Sequence, residues 1–142
     1  MMRIIATALL LAAVGCAGPA GKEVVPDAEL ARAAILQEIN GYAMASCLAY
    51  SSEPRIQREG YGWASVVVQR MEGGIDTLAG VAEAVKAETF KRTPPVIPDE
   101  IGPGREIELS VLHCYEIAHQ PAVQAIVEEA ARRRMNRHLS AE

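Results

Sequence analysis

No apolar run in this 142-residue chain approaches the roughly 20 residues that a membrane-spanning helix needs. Basic residues are not in excess either. Fourteen Lys and Arg stand against 18 Asp and Glu, a net charge of -4 at pH 7, which disfavours general nucleic-acid binding. β-branched runs are short, so no strand competes with the helical patterns described below. No internal repeat is present, and the chain holds only three cysteines, Cys16, Cys47 and Cys114.

What is present begins with a leader. Arg3 supplies a positive start, Ile4 to Val14 is apolar or small apart from Thr7, and Gly15 and Cys16 follow. This is the pattern of a signal peptide. Ala13, Val14, Gly15 and Cys16 resemble the lipobox of bacterial lipoproteins, in which the Cys becomes the lipidated first residue of the mature chain. Two outcomes stay open: lipidation of Cys16, sorting to the outer membrane, or ordinary cleavage beyond it, leaving a soluble periplasmic protein. Either way residues 1–16 are the leader and 17–26, with Pro and Gly, a tether. Losing Arg3 makes the mature chain one unit more acidic. Residues 27–138 then make one domain, followed by a tail at 139–142.

The domain reads as all-α, a compact bundle of about five helices. Asp27 and Glu29 suit a first turn, and Leu36, Ile39, Ala43, Cys47 and Tyr50 recur on one stripe. A second helix opens near Ser51 or Ser52 with Pro54 in its first turn; Ile56, Tyr61, Trp63, Val66, Val67 and Met71 are its apolar surface, and Gly73 and Gly74 end it. The third runs from Ile75 to about Lys91, with Leu78, Val81, Ala82, Val85 and Phe90 at helical spacing. Residues 93–104 cannot continue it, because four prolines and two glycines fall there. A fourth helix is expected from about Arg105 to His119, burying Ile107, Val111, Cys114, Tyr115 and Ala118. Pro121 opens the fifth, which buries Val123, Ile126, Val127 and Ala130 before an arginine-rich end.

If Cys16 is taken by lipid, Cys47 and Cys114 remain as an even pair in an oxidising compartment, and a disulfide between them is expected. The chain-entropy argument assigns such a long loop roughly 4 kcal/mol. Zinc is a poor competitor, since His113 and His119 are not set with the cysteines as a ligand cluster. Cys114 and His119, five residues apart on a helix, face different ways and do not form a nucleophile and base. Helical carboxylates such as Glu38, Glu59 and Glu83 lie on solvent faces. No catalytic residue, metal or cofactor is therefore expected, and the chain reads as a binding protein.

Two segments carry a family resemblance. Asn40, Tyr42, Ala43, Ser46 and Cys47, within NGYAMASCLAY, and Leu112, Cys114, Ile117 and His119, within VLHCYEIAHQPAVQAIVEEA, resemble the two Cys motifs of the type VI secretion system amidase immunity proteins. GYGWASVVVQ between them resembles the family's Gly-Tyr helix. The likeness runs from about Leu36 to Ala130; the loop of residues 92–105 is richer in proline than the family's.

The resemblance implies an all-α periplasmic inhibitor, a homodimer, that presents a protruding loop to the catalytic groove of a secreted peptidoglycan amidase. Candidate contact residues are Thr93, Pro98, Asp99, Glu100, Gly102 and Arg105. A loop stiffened by prolines loses less entropy on docking than a flexible one. The competing expectation is a structural or adaptor lipoprotein of the envelope without a toxin partner.

Overall fold

A computed structural model describes residues 27–71, 75–102 and 104–140. The leader, Cys16 and the tether lie outside the described residues, as do Gly73, Gly74 and Pro103.

Five helices and a two-stranded ribbon follow in order: α1 (Asp27–Leu48), α2 (Pro54–Arg70), α3 (Ile75–Thr89), β1 (Val96–Pro98), β2 (Glu106–Glu108), α4 (Ser110–Ala118) and α5 (Pro121–Leu139). The long helix α1 is the centre of the bundle, since α2, α3, α4 and α5 all contact it. Among the described helices none is long and apolar enough to cross a membrane.

Local chemistry accounts for the helix starts. Asp27 and Glu29 lie in the first turn of α1, where carboxylates meet the positive end of the helix dipole. Pro54 opens α2 at a position that needs no amide donor, and the Glu53 side chain accepts from the Arg55 amide. Pro121 opens α5 in the same way. At the other end of α4, Gln124 Nε2 donates to Ala118 O at 2.7 Å and to Asn40 Oδ1 at 2.8 Å, satisfying a helix-end carbonyl and fastening α5 to α1.

The core is small and aliphatic. Ile39 of α1, Met71, Leu78, Val81 and Val85 around α3, Ile117 of α4 and Val123 and Val127 of α5 are fully buried, together with the Cys47–Cys114 disulfide. No Phe, Tyr or Trp side chain is among the described buried residues. Apart from the flexible Met71, these side chains are branched or small, so the helices approach closely and small residues decide where.

Gly60 marks a close approach of α2 to the end of α1. A Cβ placed there would sit 2.5 Å from Ala49 N and 2.7 Å from Leu48 C, both backbone atoms of the α1 end. Backbone cannot rotate away as a side-chain tip can. Gly60→Ala should therefore destabilise the fold by about 1–3 kcal/mol, the usual cost of overpacking, whereas Gly62→Ala, with nothing within 4 Å, should be neutral or stabilising. Thermal melts of the two variants check this; equal melting temperatures would contradict the packing argument.

Several sequence expectations need correction. The fourth helix begins at Ser110, not near Arg105, because residues 106–108 are extended and paired with β1. Three-residue strands are too short to show a period-2 pattern, and only their pairing stabilises them. The face of α4 also differs: Ser110, His113, Cys114, Ile117 and Ala118 are buried, whereas Ile107, Val111 and Tyr115 are exposed. Two polar residues, Ser110 and His113, occupy core positions, so the apolar pattern pointed one step around the helix. Tyr50, Tyr61, Trp63, Val66 and Phe90 are likewise exposed, and Ile126 sits at the edge of exposure. The indole of Trp63 lies across Gly41, with Cζ2 3.4 Å from where a Cβ would be, so it covers α1 from outside instead of entering the core. Helix α3 ends at Thr89, before Lys91.

Candidate functional site

The proline-rich segment is a β-hairpin. Ile97 faces Ile107 across the ribbon, Val96 faces Glu108, and Pro98 faces Glu106. The ladder continues at both ends: Leu109 N donates to Pro95 O at 2.8 Å, and Asp99 N donates to Arg105 O at 2.9 Å. Proline is tolerated at the end of such an edge strand, where no ladder donor is needed. Every residue of β1 is exposed, as are Glu106 and Ile107, so both faces of the ribbon meet solvent and it projects from the helices.

The tip is held by its own polar groups. Asp99 Oδ1 accepts from the Ile101 amide at 2.9 Å, and Arg105 N donates to Gly102 O at 3.0 Å. Gly104 has φ +85°, a left-handed conformation that glycine adopts without strain. A Cβ on Gly102 would stand 3.0 Å from both Arg105 Cδ and Asp99 Oδ2, so the turn closes tightly there. Ile101 crowns the turn, 95% exposed.

The foot is fastened to the body by a polar relay. The Glu53 amide donates to Ser51 Oγ at 3.1 Å, Ser51 and Ser110 hydroxyls are 2.9 Å apart, and Ser110 donates to Glu108 Oε1 at 2.6 Å. Ser110 uses its proton on the carboxylate, so Ser51 is the donor between the two hydroxyls. Ser52 donates to Glu108 Oε2 at 2.6 Å. Glu108, the last residue of β2, thus takes one hydroxyl on each oxygen from the α1–α2 junction and the start of α4. Charge-assisted bonds of this kind are the stronger class.

Directly behind the relay lies the disulfide. Cys47 on α1 and Cys114 on α4 are bonded, with Cα atoms 5.4 Å apart and both residues almost fully buried. The expected pairing is therefore present, and neither sulfur is a free thiolate. His119 is on the surface instead, its ring against Tyr115 and its Nδ1 donating to Tyr115 O at 2.7 Å. The two residues do face apart.

Beside the disulfide opens a cleft of about 270 Å³ between the end of α1, the end of α3, the hairpin foot and α4. Tyr50 and Phe90 meet edge to face at its rim, 5.4 Å between ring centres. His113 also lines it, and Nε2 of this buried imidazole has no hydrogen-bond partner. On the opposite side of α4, Met44, Ile56, Leu109, Val111, Leu112 and Tyr115 line an open, mainly apolar groove of about 560 Å³.

Of the loop residues singled out from sequence, the structure brings Pro98, Asp99, Glu100, Gly102 and Arg105 together at the tip. Thr93 is not with them; it precedes β1 at the base. Asp99 is half-buried and engaged in the turn, so it shapes the tip, while Glu100 is exposed. Ile101 was not among the candidates, although an isolated apolar residue between turn residues could have signalled it. The Ser51, Ser52, Glu108 and Ser110 relay had no signal in sequence, because it joins segments more than fifty residues apart, and the polarity of His113 concealed its burial. Cys16 lies outside the described residues. Searches against protein-family models, curated proteins and solved structures found no match to this chain.

Proposed function

We propose that this chain is an exported immunity protein whose hairpin occupies the catalytic groove of a type VI secreted peptidoglycan amidase. The observation that carries the reading is the hairpin itself: an exposed ribbon with an internally bonded tip, fastened at its foot to a disulfide-braced helical body. A groove inhibitor needs such a shape. Order already present before binding is not lost on docking, and this raises affinity without new contacts. The resemblance of the two Cys motifs to the immunity family supplies the partner class, and Glu100, Ile101 and Arg105 at the tip are the side chains placed to meet it.

In this reading the partner is a protein, the chain is no enzyme, and no cofactor takes part. The homodimer that the resemblance implies would use exposed apolar surface, and the groove beside Val111, Leu112 and Tyr115 is available for that. The test is direct. Cells exporting a cognate amidase should survive when this protein is co-expressed, and the purified pair should form a complex by calorimetry, with its stoichiometry read from light scattering. Absence of any amidase complex would leave the envelope adaptor reading in its place.

The proposed location is the periplasm, with a lipid on Cys16 as anchor. Cys16→Ser should move the protein from the membrane fraction to the soluble periplasmic fraction. A wild-type protein already soluble and beginning beyond Cys16 would assign ordinary cleavage instead.

A further inference from the structure

The cleft beside the disulfide has unused hydrogen-bonding capacity of opposite kinds among its lining residues. Arg92, just past α3, is one of them. Its guanidinium has five N–H donors, and one nitrogen is held by Gln120 Oε1 at 2.9 Å, which orients the group and leaves most of the donors open. Glu108 lines the cleft as well. Its two oxygens accept the hydroxyls of Ser52 and Ser110 and retain acceptor sites, as does Ser52 Oγ. Arg92 and Glu108 share the cleft without forming an ion pair.

Tyr50, Phe90 and Pro94 give the same cleft an apolar part. His113 also lines the cleft, with its Nε2 closed off from solvent, so that atom is not counted among the groups that meet a ligand. The volume, about 270 Å³, falls just below the range of roughly 300–1,000 Å³ for sites that take drug-sized ligands. A nucleotide is too large, and a bare inorganic anion would leave Glu108 and the apolar part unmatched.

We infer that the cleft binds a free amino acid with an apolar side chain, its carboxylate on Arg92, its ammonium on Glu108 and Ser52, and its side chain against Tyr50 and Phe90. The argument uses only the cleft and does not depend on the amidase reading.

The probes are L- and D-phenylalanine, N-acetyl-L-phenylalanine and L-phenylalaninamide, titrated into the full mature protein and followed by calorimetry and by the NMR signals of the cleft residues. At least one phenylalanine enantiomer should bind with saturation in the millimolar range or tighter. The acetylated form, lacking the ammonium, and the amide, lacking the carboxylate, should each bind at least tenfold more weakly. Arg92→Leu, a surface change away from the core, should weaken phenylalanine at least tenfold and leave the amide unaffected; Glu108→Gln should weaken phenylalanine and leave the acetylated form unaffected. No saturable binding by either enantiomer overturns the assignment. So does binding of either charge-deleted analogue as tight as that of phenylalanine, or unchanged affinity in Arg92→Leu with its fold intact.

Discussion

Replacing residues 100–104 with a two-residue Asn-Gly turn between Asp99 and Arg105, which keeps the native register, should abolish protection against the amidase while leaving the melting temperature within a few degrees of wild type. The two halves of this result have separate causes. Stability is spared because the deleted tip contributes nothing to the core: its described residues are exposed or half-buried, and its hydrogen bonds close on themselves. Asn-Gly is a favoured connection for a two-residue hairpin turn, so the strands stay paired. Binding is lost because interface energy concentrates in a few central residues, of which Glu100 and Ile101 are the foremost candidates here.

A loss of two such contacts, at about 2 kcal/mol each, lowers affinity by roughly a thousandfold or more. Single substitutions separate contact from shape. Ile101→Ala removes an apolar contact and little else, since the side chain is 95% exposed and touches little of its own protein. Asp99→Ala removes the acceptor for the Ile101 amide, so its effect should come through a looser tip and should be smaller. Calorimetry of each variant with the purified amidase, together with survival of cells exporting it, checks the series. Undiminished protection by the shortened hairpin would move the contact surface to a helix face.

The second large effect concerns the disulfide. Cys47→Ala with Cys114→Ala should lower stability by about 4 kcal/mol, because the bond closes a loop spanning 67 positions and removes that freedom from the unfolded chain. For a domain of this size the loss corresponds to a fall in melting temperature on the order of 15–20 °C. Alanine is chosen over serine so that no unpartnered hydroxyl is placed in the apolar core.

Damage should spread to the hairpin as well. Cys114 fixes α4 to α1, Ser110 at the start of the same helix carries the relay to Glu108, and Glu108 is the foot of the ribbon. In the double variant, amide exchange at residues 106–109 should therefore quicken even below the melting transition. A melting temperature within a few degrees of wild type would show that the helices hold this geometry without the bond.

Helix existence was legible in the sequence because each helix of the bundle carries its own evidence: apolar residues every three or four positions, Pro54 and Pro121 at first turns, Asp27 and Glu29 at an N-terminus. The disulfide was legible by cysteine arithmetic, which needs only parity and compartment. Proline and glycine between residues 93 and 104 also showed where helix α3 must stop. These are local properties, readable over a few turns of chain.

What the tertiary structure decided depends on partners far away in sequence. Val96 to Pro98 become a strand only by pairing with residues 106–108, so neither three-residue segment announces itself. His113 and Ser110 enter the interior because the disulfide sets the rotation of α4, and the polarity of both residues hid this from any apolar pattern. Gly60 reads as a weak point in a helix until the backbone of α1 is seen within contact of it. The relay from Ser51 and Ser52 to Glu108 and Ser110, and the cleft behind it, exist only where the ends of α1 and α3 and the start of α4 meet. Periodicity reports which side of a helix is apolar; only packing determines what that side, and each polar exception on it, touches.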